Sequence, residues 1–331
     1  MLPAIALRCH GGLPPKECVR QAVAAERAGF STVWFAENPF SRGAWPAAAA
    51  CAVATHHIRI GLGVVNPHNR HPTLMAMEIA AFDELSEGRA VLGIGAGIPS
   101  RVRRLQAPID RPIAAVRDAV TITRALLRGE SVTYTGKAFS ADGVRLDFTP
   151  RRGDLPILTA AMGEQALRLC GEIADGVIIS NLAPPAFTRR AVGLIREAAA
   201  RINRPKPREV VQYVPCAVRD DGAEARRLAK RSVAAMLRAY METASAATRA
   251  AIAEYGRSED FARAMVRLGR GDPPEDAIDD RLLADYAIAG APDECLDQCR
   301  TYAEAGVTEL AIGPVGERGA EDIARLGGAM A

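Results

Sequence analysis

The sequence of 331 residues carries almost no excess of charge: 42 Lys and Arg face 39 Asp and Glu, and the formal net charge is +3. It contains no block of basic residues that would bind nucleic acid. No run approaches the ~18 apolar residues that a membrane helix requires, and the apolar N-terminal stretch is too short for a signal peptide. We therefore expect a cytoplasmic protein with no nucleic acid or membrane partner.

The seven cysteines lack the even number and the spacing of a disulfide framework. Cys295 and Cys299 are four residues apart on a predicted helix, but no cluster of histidines or carboxylates accompanies them. Structural zinc sites need such a cluster, so the sequence predicts no metal site. The cysteines fit small, buried apolar residues of a protein in a reducing compartment.

Apolar strands alternate with alanine-rich helices in the first part of the chain. Four predicted strands lie there, at residues 4–9, 31–36, 58–65 and 89–94. Each is apolar on both faces, which is typical of a parallel sheet covered by helices. The same pattern returns in four later strands, at residues 156–160, 176–180, 209–218 and 309–313.

Eight parallel strands joined by helices favour a closed (β/α)8 barrel, the TIM barrel, because an open sheet of that width would leave unprotected edges. The segment Gly93-Ile94-Gly95-Ala96-Gly97 suggests an alternative, a doubly wound sheet that binds a nucleotide. That segment follows the fourth strand, however, and its G-x-G-x-G spacing is not the dinucleotide fingerprint. We predict a single barrel domain over residues 1–331.

Two segments interrupt the alternation of strands and helices. A hairpin is predicted at residues 131–148, after the fourth strand, with its strands on either side of Ser140-Ala141-Asp142-Gly143. Residues 222–285, after the seventh strand, are rich in Ala, Arg and Glu and contain no convincing strand. We interpret them as a helical insertion that forms part of a substrate wall or lid.

Polar side chains follow several predicted strands, and in such barrels the chemistry takes place at the C-terminal ends of the strands. Glu37 directly follows an apolar strand, so it is a candidate proton donor or acceptor; a rim salt bridge or helix cap is the alternative. His10 and His68 are candidates for the site or for hydrogen bonds to the backbone. His71 precedes Pro72 at a helix start, which favours an N-cap.

Two glycine-bearing turns at the same rim suit an anionic cofactor. Gly95-Ala96-Gly97 lets backbone N–H groups approach a ligand without a side-chain clash. Ala161-Met162-Gly163 leads into a helix N-terminus, where free N–H groups and the helix dipole attract phosphate. Together the two turns indicate a phosphorylated ligand.

Residues 58–72 (IRIGLGVVNPHNRHP) resemble a signature of the luciferase-like monooxygenase superfamily. The resemblance is strongest to the branch that contains methylenetetrahydromethanopterin reductase and related enzymes of the deazaflavin coenzyme F420. Four further segments fit the same pattern, at residues 33–37, 83–97, 167–176 and 303–310. The resemblance covers nearly the whole chain apart from the helical insertion.

The resemblance implies a (β/α)8 barrel whose third strand is bulged, with a non-prolyl cis peptide at Gly63–Val64 against the cofactor ring. It also implies cofactor contacts from Gly95-Ala96-Gly97 and phosphate contacts near Ala161-Met162-Gly163. We add Asn66, which directly follows the third strand, to the predicted cofactor contacts.

The sequence departs from the pattern of the family in two places. Asn38 stands where several relatives have a histidine implicated in proton transfer, and an amide cannot shuttle a proton near neutral pH. Glu164-Gln165 stands where relatives often have Pro-Lys, so we expect the phosphate contacts to differ in detail.

The leading hypothesis is a reductase or dehydrogenase that exchanges a hydride between coenzyme F420 and a small organic substrate. Glu37 is expected to be the acid–base or polarising group, with Asn38 and His10 orienting the substrate. The alternatives are a monooxygenase that uses reduced FMN and oxygen, and a non-catalytic flavin- or deazaflavin-binding protein. Alanine-rich helix faces, and the usual assembly of the family, favour a homodimer.

Overall fold

A computed structural model describes residues 1–106 and 109–330, which form eleven strands and fourteen helices. The strands are β1 (Ala4–Cys9), β2 (Thr32–Phe35), β3 (Arg59–Val65), β4 (Ala90–Ile94), β5 (Val132–Thr135), β6 (Ser140–Val144), β7 (Ile157–Ala160), β8 (Gly176–Ile179), β9 (Glu209–Val218), β10 (Ile288–Gly290) and β11 (Glu309–Pro314). The helices are α1 (Pro15–Arg27), α2 (Ala44–Ala54), α3 (Pro72–Leu85), α4 (Pro99–Arg104), α5 (Pro112–Leu127), α6 (Glu164–Ile173), α7 (Pro185–Arg201), α8 (Gly222–Thr243), α9 (Ala246–Glu254), α10 (Ser258–Arg270), α11 (Pro274–Ala277), α12 (Asp280–Tyr286), α13 (Pro292–Glu304) and α14 (Gly319–Met330).

Eight of the strands close into a barrel. Their order is β1-β2-β3-β4-β7-β8-β9-β11, and β11 completes the circle by pairing with β1. Each of these pairings is parallel, and helices separate the strands along the chain. The predicted (β/α)8 barrel is confirmed, and the doubly wound alternative is wrong.

β10 is a further strand that the sequence did not predict. Its three residues pair in parallel with residues 216–218 at the end of β9. A strand this short has too few positions to show a periodic pattern, and its apolar residues are equally compatible with a loop that leads into α13.

Trp34 of β2 fills the interior of the barrel and is fully buried. A Cβ atom at Gly61 would lie 2.3 Å from the indole ring, and one at Gly63 would lie 2.7 Å from it. A Cβ atom at Gly93 would lie 2.5 Å from Cδ1 of Ile178. The glycines of β3 and β4 therefore make room for two large inward side chains, as close packing of a barrel interior requires.

A charged network joins the N-terminal ends of the strands. Glu309 accepts hydrogen bonds from Thr32 Oγ1 (2.8 Å), Trp34 Nε1 (2.6 Å) and Arg59 Nη2 (3.1 Å). Arg59 also pairs with Glu209 at 3.0 Å. Four of these residues are the first residues of β2, β3, β9 and β11, so the network closes this end of the barrel and leaves the opposite end for a site.

The hairpin formed by β5 and β6 has its turn at a different place from the predicted one. The turn comprises residues 136–139, where Gly136 N donates to Phe139 O at 3.1 Å, and Ser140 to Gly143 belong to β6. Asp118 of α5 fixes the turn by accepting from the amides of Ala138 (2.7 Å) and Phe139 (3.0 Å). The predicted turn at 140–143 is wrong because Gly143, with φ +62°, serves an irregularity in the β5–β6 pairing instead.

The region 222–285, all of which the structure describes, contains α8 to α11 and most of α12 and no strand. These helices pack around an apolar cluster separate from that of the barrel walls, with Val233, Leu237, Ile252, Leu282 and Tyr286 among its buried members. The segment therefore has a core of its own beside β9 and β10.

Candidate functional site

The C-terminal ends of the barrel strands open at one rim, and the predicted site residues lie there. They lie within three residues of the strand ends: His10 after β1, Glu37 and Asn38 after β2, Asn66 after β3, Gly95 to Gly97 after β4, and Ala161 to Gly163 after β7. The parallel arrangement brings all of them to one mouth.

The third strand is bulged at the predicted position. The Gly63–Val64 peptide bond is cis, and the pairing of β3 with β4 shifts register between Gly63 and Val65. Backbone hydrogen bonds hold the bulge from both sides, from Glu37 N to Val64 O (3.2 Å) and from Gly95 N to Val65 O (3.0 Å). The prediction of a non-prolyl cis bulge at Gly63–Val64 is confirmed.

Glu37 is held in an ion pair at the rim. Its carboxylate accepts from Arg70 Nη2 at 2.8 Å and from Asn69 Nδ2 at 2.9 Å, and the side chain is 12% exposed. Arg70 also pairs with Glu78 and stacks on the ring of Trp45 at 5.0 Å. The rim salt bridge, one of the two roles considered for Glu37, is therefore present, and it fixes the position of the carboxylate.

Asn66 shapes the loop that supplies one partner of Glu37. Its side chain is buried, and Oδ1 accepts from the amides of His68 and Asn69, both at 3.1 Å. This is the hydrogen bonding of an Asx turn, which a short amide side chain favours. Asn66 also lies against Gly97, where a Cβ atom would come within 3.2 Å of Asn66 Cγ.

The two histidines of the third-strand loop differ in role. His71 is the N-cap of α3 and accepts from the amide of Thr73 at 3.3 Å, as predicted. His68 Nε2 is buried without a hydrogen-bond partner among the described residues, and burial lowers the pKa of His68 below its usual value. Both rings pack against Phe139 of the hairpin turn, with centroid distances of 6.0 Å for His68 and 5.6 Å for His71.

The loop after β4 packs closely on the bulge of β3. A Cβ atom at Gly95 would lie 3.0 Å from Val64 Cγ2 and 3.2 Å from the Cβ of Ala160. Gly97 has φ +75°, a conformation that favours glycine. Gly95 is therefore buried tightly against the bulge, and the partly exposed Ala96 and Gly97 continue the loop toward the mouth.

The loop after β7 ends in a helix N-terminus without a side-chain cap. Gly163 is the N-cap of α6 and makes no capping bond, Ala161 is buried, and Met162 is partly exposed. Glu164 at the first position of α6 pairs with Arg168 (2.8 Å) and Arg190 (3.5 Å). The negative charge of Glu164 is thus balanced by cations on the helices, and the amides of the first turn remain available to an anion.

His10 and Asn38 occupy the side of the mouth nearest β1 and β2. His10 Nδ1 accepts from the amide of Gly12 at 3.1 Å, and desolvation and the charge of Arg8 lower the pKa of His10. Asn38 is partly exposed, and its side chain has no hydrogen bond within the described part of the chain. Both side chains can therefore offer neutral hydrogen-bonding groups to a ligand.

Four residues at or beneath the mouth were not predicted from the sequence. Tyr213 of β9 donates its hydroxyl hydrogen to Gly63 O, and the guanidinium of Arg8 lies 4.8 Å from the centroid of the Tyr213 ring. Tyr240 of α8 is 3.1 Å from Ser180 Oγ, which brings the helical insertion to the end of β8. Arg70 is the fourth. For Arg8, a charged residue within the apolar strand AIALRC was the available signal.

These features fit a phosphorylated cofactor with a flat ring. The glycine loop after β4 packs directly on the bulge, where a single Cβ atom at Gly95 would press on Val64, and the uncapped N-terminus of α6 suits a phosphate. Within residues 1–106 and 109–330, no group of His, Cys, Asp or Glu side chains is arranged to hold a metal ion. Fold and mouth define the class: a (β/α)8 barrel with a non-prolyl cis bulge in its third strand beside glycine-lined loops.

The chain belongs to the luciferase-like monooxygenase family, whose family model matches residues 3–309. A 5,10-methylenetetrahydromethanopterin reductase of Archaeoglobus fulgidus is 30% identical over 311 residues, which are 92% of this chain and 91% of the relative. The solved coenzyme F420-dependent tetrahydromethanopterin reductase of Methanopyrus kandleri has a TM-score of 0.86 at 24% identity, covering 99% of this chain and 98% of that one. The oxygenating component of a Baeyer–Villiger monooxygenase from Pseudomonas putida, in complex with FMN, has a TM-score of 0.72 at 19% identity, covering 99% and 95%.

These relatives confirm the predicted family resemblance and the predicted enzyme class, an oxidoreductase. They give no support to the alternative of a non-catalytic binding protein. No helix in the described part of the chain is long and apolar enough to cross a membrane.

Proposed function

We propose that the protein is an oxidoreductase that exchanges a hydride between coenzyme F420 and a small organic substrate bound at the barrel mouth. The observation that carries the proposal is the bulge in β3 between Gly63 and Val65, which lies at the barrel mouth against Gly95. We call the backbone of residues 63–65 the shelf, and we propose that a flat cofactor ring rests on it. The similarity over 92% of the chain to an enzyme named for its reduction of methylenetetrahydromethanopterin supports the choice of a reductase.

The bulge at Gly63–Val64 and the loops at Asn66 and at Gly95-Ala96-Gly97 would hold the cofactor ring. The turn Ala161-Met162-Gly163 and the first amides of α6 would hold its phosphate. When bound, the cofactor supplies the hydride chemistry, and the protein supplies binding, orientation and electrostatics.

Glu37 is the group that we assign to hold or move a proton at the substrate. Arg70 and Asn69 fix its carboxylate by two hydrogen bonds, so the remaining lone pairs face a defined direction. Asn38 and His10 would orient the substrate by hydrogen bonds, and α8, which reaches Ser180 through Tyr240, would cover the β8 side of the mouth.

A monooxygenase that uses reduced FMN and oxygen is the second candidate function. The observation that favours it is the fold likeness to an FMN-bound monooxygenase, with a TM-score of 0.72. The two functions share the shelf and differ in the ring that occupies it.

Separate titrations with coenzyme F420 and with FMN, followed by ring absorbance and fluorescence, distinguish the two. We expect F420 to bind at least about ten-fold more tightly than FMN, a difference of about 1.4 kcal/mol. Gly95→Ala, whose Cβ atom would lie 3.0 Å from Val64 Cγ2 and press on the bulge, should weaken F420 binding, whereas Gly193→Ala, where nothing lies within 4 Å, should not. Tighter binding of FMN, with oxygen uptake after reduction, would establish the monooxygenase, and binding of neither ring would refute both.

We further propose a homodimer in the cytoplasm. Apolar side chains on the neighbouring helices α2 and α3 are exposed to solvent: Val53 by 66%, Leu74 by 50% and Met77 by 42%. Exposed apolar side chains on two neighbouring helices suit a subunit interface. All seven cysteines are free and buried, which suits a reducing compartment. Light scattering should give twice the 35.2 kDa mass of the chain, and the double substitution Leu74→Asp with Met77→Asp should halve it.

A further inference from the structure

Arg8 lies in the barrel mouth on top of the packed interior. Residues two apart on a strand share a face, so Arg8 points to the same side of β1 as Ala6. Ala6 is fully buried in the interior cluster that also contains Trp34 and Tyr213. Arg8 is one step nearer the C-terminal end of β1, and its guanidinium stacks over the Tyr213 ring at 4.8 Å.

The charge of Arg8 has no counter-charge in the described part of the chain. No carboxylate there lies within 4.0 Å of it, and its Nε is buried without a hydrogen-bond partner. Three other arginines near the ends of barrel strands do have a carboxylate partner: Arg59 with Glu209, Arg70 with Glu37, and Arg219 with Asp322. The side chain of Arg8 is partly exposed at the mouth, and the buried Nε lacks the hydrogen bond that water would give it. Stacking on an aromatic ring offsets this loss only in part, so the guanidinium favours an anion.

Tyr213 connects Arg8 to the bulge. The ring that Arg8 covers donates its hydroxyl hydrogen to the carbonyl of Gly63. The guanidinium of Arg8 therefore lies over the face of the Tyr213 ring, and the peptide at Gly63 lies at the hydroxyl end of the same ring. An anion bound by Arg8 would lie beside the shelf on which the flat ring is proposed to rest.

The position of Arg8 separates its anion from the phosphate of the cofactor. Around the barrel, β7 is the fourth strand from β1 in either direction, so the N-terminus of α6 after β7 lies across the mouth from Arg8. The first amides of α6 are proposed to bind the phosphate there. Arg8 can therefore bind a second negative group, near the centre of the site.

We propose that Arg8 binds an oxyanion of the molecule that reacts in the barrel mouth, and that the substrate is consequently an organic acid whose carboxylate pairs with this guanidinium. The planar guanidinium fork matches a carboxylate through two parallel hydrogen bonds. This inference rests on the proposed function, because it takes the mouth as the reaction site. The same charge could come from an anionic oxygen of the cofactor ring, and the experiment separates the two sources.

The first arm of the test uses malonate without cofactor and measures its affinity by calorimetry. We expect wild-type protein and Arg103→Gln to bind malonate alike, since Arg103 is an exposed arginine of α4 near the mouth without a salt bridge in the described chain. Arg8→Gln should lose roughly 10–100-fold in affinity, the scale of a charged hydrogen bond. Arg8→Lys should fall in between, and neutral dimethyl malonate should bind to none of them.

The second arm measures the affinity of coenzyme F420 for the same proteins by fluorescence. An unchanged affinity in Arg8→Gln, together with the loss of malonate binding, supports a carboxylate substrate. A ten-fold loss of F420 affinity without malonate binding to wild type overturns the organic acid and assigns the anion to the cofactor. Equal behaviour of Arg8→Gln and wild type in both arms overturns the role of Arg8 altogether.

Thermal unfolding of each variant checks that it is folded. If Arg8→Gln does not fold, Arg8→Lys carries the test, because it keeps the charge and loses the fork; unchanged affinities in both arms then overturn the proposal. If wild-type protein fails to bind F420, the proposed function fails while the malonate arm can still be read.

Discussion

Tyr213 donates its hydroxyl hydrogen to the carbonyl oxygen of Gly63, across the barrel from β9 to β3. The acceptor is the residue that precedes the cis bond, so the interior side chain of one strand holds the bulge of another. Burial raises the pKa of Tyr213 far above its usual value, so the phenol keeps its hydrogen near neutral pH and remains a donor. The shelf at the mouth is thus supported from below.

Tyr213→Phe should weaken both the fold and the shelf. The variant leaves the Gly63 carbonyl buried without its partner, which costs about 1–3 kcal/mol in the free energy of unfolding. We expect a parallel loss of F420 affinity. The matched control is Tyr286→Phe, since the Tyr286 hydroxyl donates to Ile252 O at 2.7 Å in the buried core of the insertion. Urea unfolding should show both losses of stability, whereas weakened F420 binding in the Tyr286 variant would contradict the assignment of the shelf.

Gly61→Ala should destabilise the barrel through Trp34. The new Cβ atom would lie 2.3–2.6 Å from the indole ring, and Trp34 is held in place by its hydrogen bond to Glu309. Overpacking of this kind costs about 1–3 kcal/mol in the free energy of unfolding. Gly193→Ala in α7 meets no atom within 4 Å and should gain about 0.5–1 kcal/mol instead. Thermal or urea unfolding should show a loss of stability for Gly61→Ala and a gain for Gly193→Ala. An unchanged free energy of unfolding in Gly61→Ala would show that Trp34 can move.

The barrel could be predicted because its signals are local, whereas the bulge was predicted from the resemblance of residues 58–72 to the family signature. Strands buried on both faces are apolar along their length, and the glycines of IRIGLGVV stand where Trp34 and Ile178 leave no room for a Cβ atom. The hairpin turn was misplaced because Asp142-Gly143 suits an irregular strand pairing as well as it suits a turn.

The relationship between Arg8 and Tyr213 could not be predicted because it joins strands that are far apart in the chain. A charged residue within an apolar strand marks an inward polar group, but its partner depends on how the barrel closes. The same holds for Arg70, whose pairing with Glu37 depends on the loop that Asn66 shapes. Side-chain pairs of this kind require the folded geometry.

The stability of the protein should fall as the pH falls below about 6.5. Burial lowers the pKa of His68 from its usual 6.5, so the unfolded state binds more protons than the folded state in the window below that value. Stability therefore rises with pH through the window and is lost on acidification. His68→Gln should reduce this dependence, and His57→Gln, at an exposed position, should leave it unchanged. Urea unfolding at pH values of about 7.5, 6.5 and 5.5 measures how the free energy of unfolding changes with pH. The same pH dependence in His68→Gln as in wild type would contradict the role of burial.

Glu37→Gln separates a proton-transferring carboxylate from a purely structural ion pair. The amide keeps the shape and can still accept a hydrogen bond, but it cannot take up a proton. If Glu37 moves a proton, kcat should fall by roughly 10²–10⁴-fold with little change in KM. Glu78→Gln is the matched control, because Glu78 pairs with the same Arg70 guanidinium from a more exposed position, 38% against 12%. If both substitutions have equal and small effects on kcat and equal losses of stability, Glu37 only positions Arg70. Another group at the mouth would then exchange the proton, and His10 is a titratable side chain that lies there.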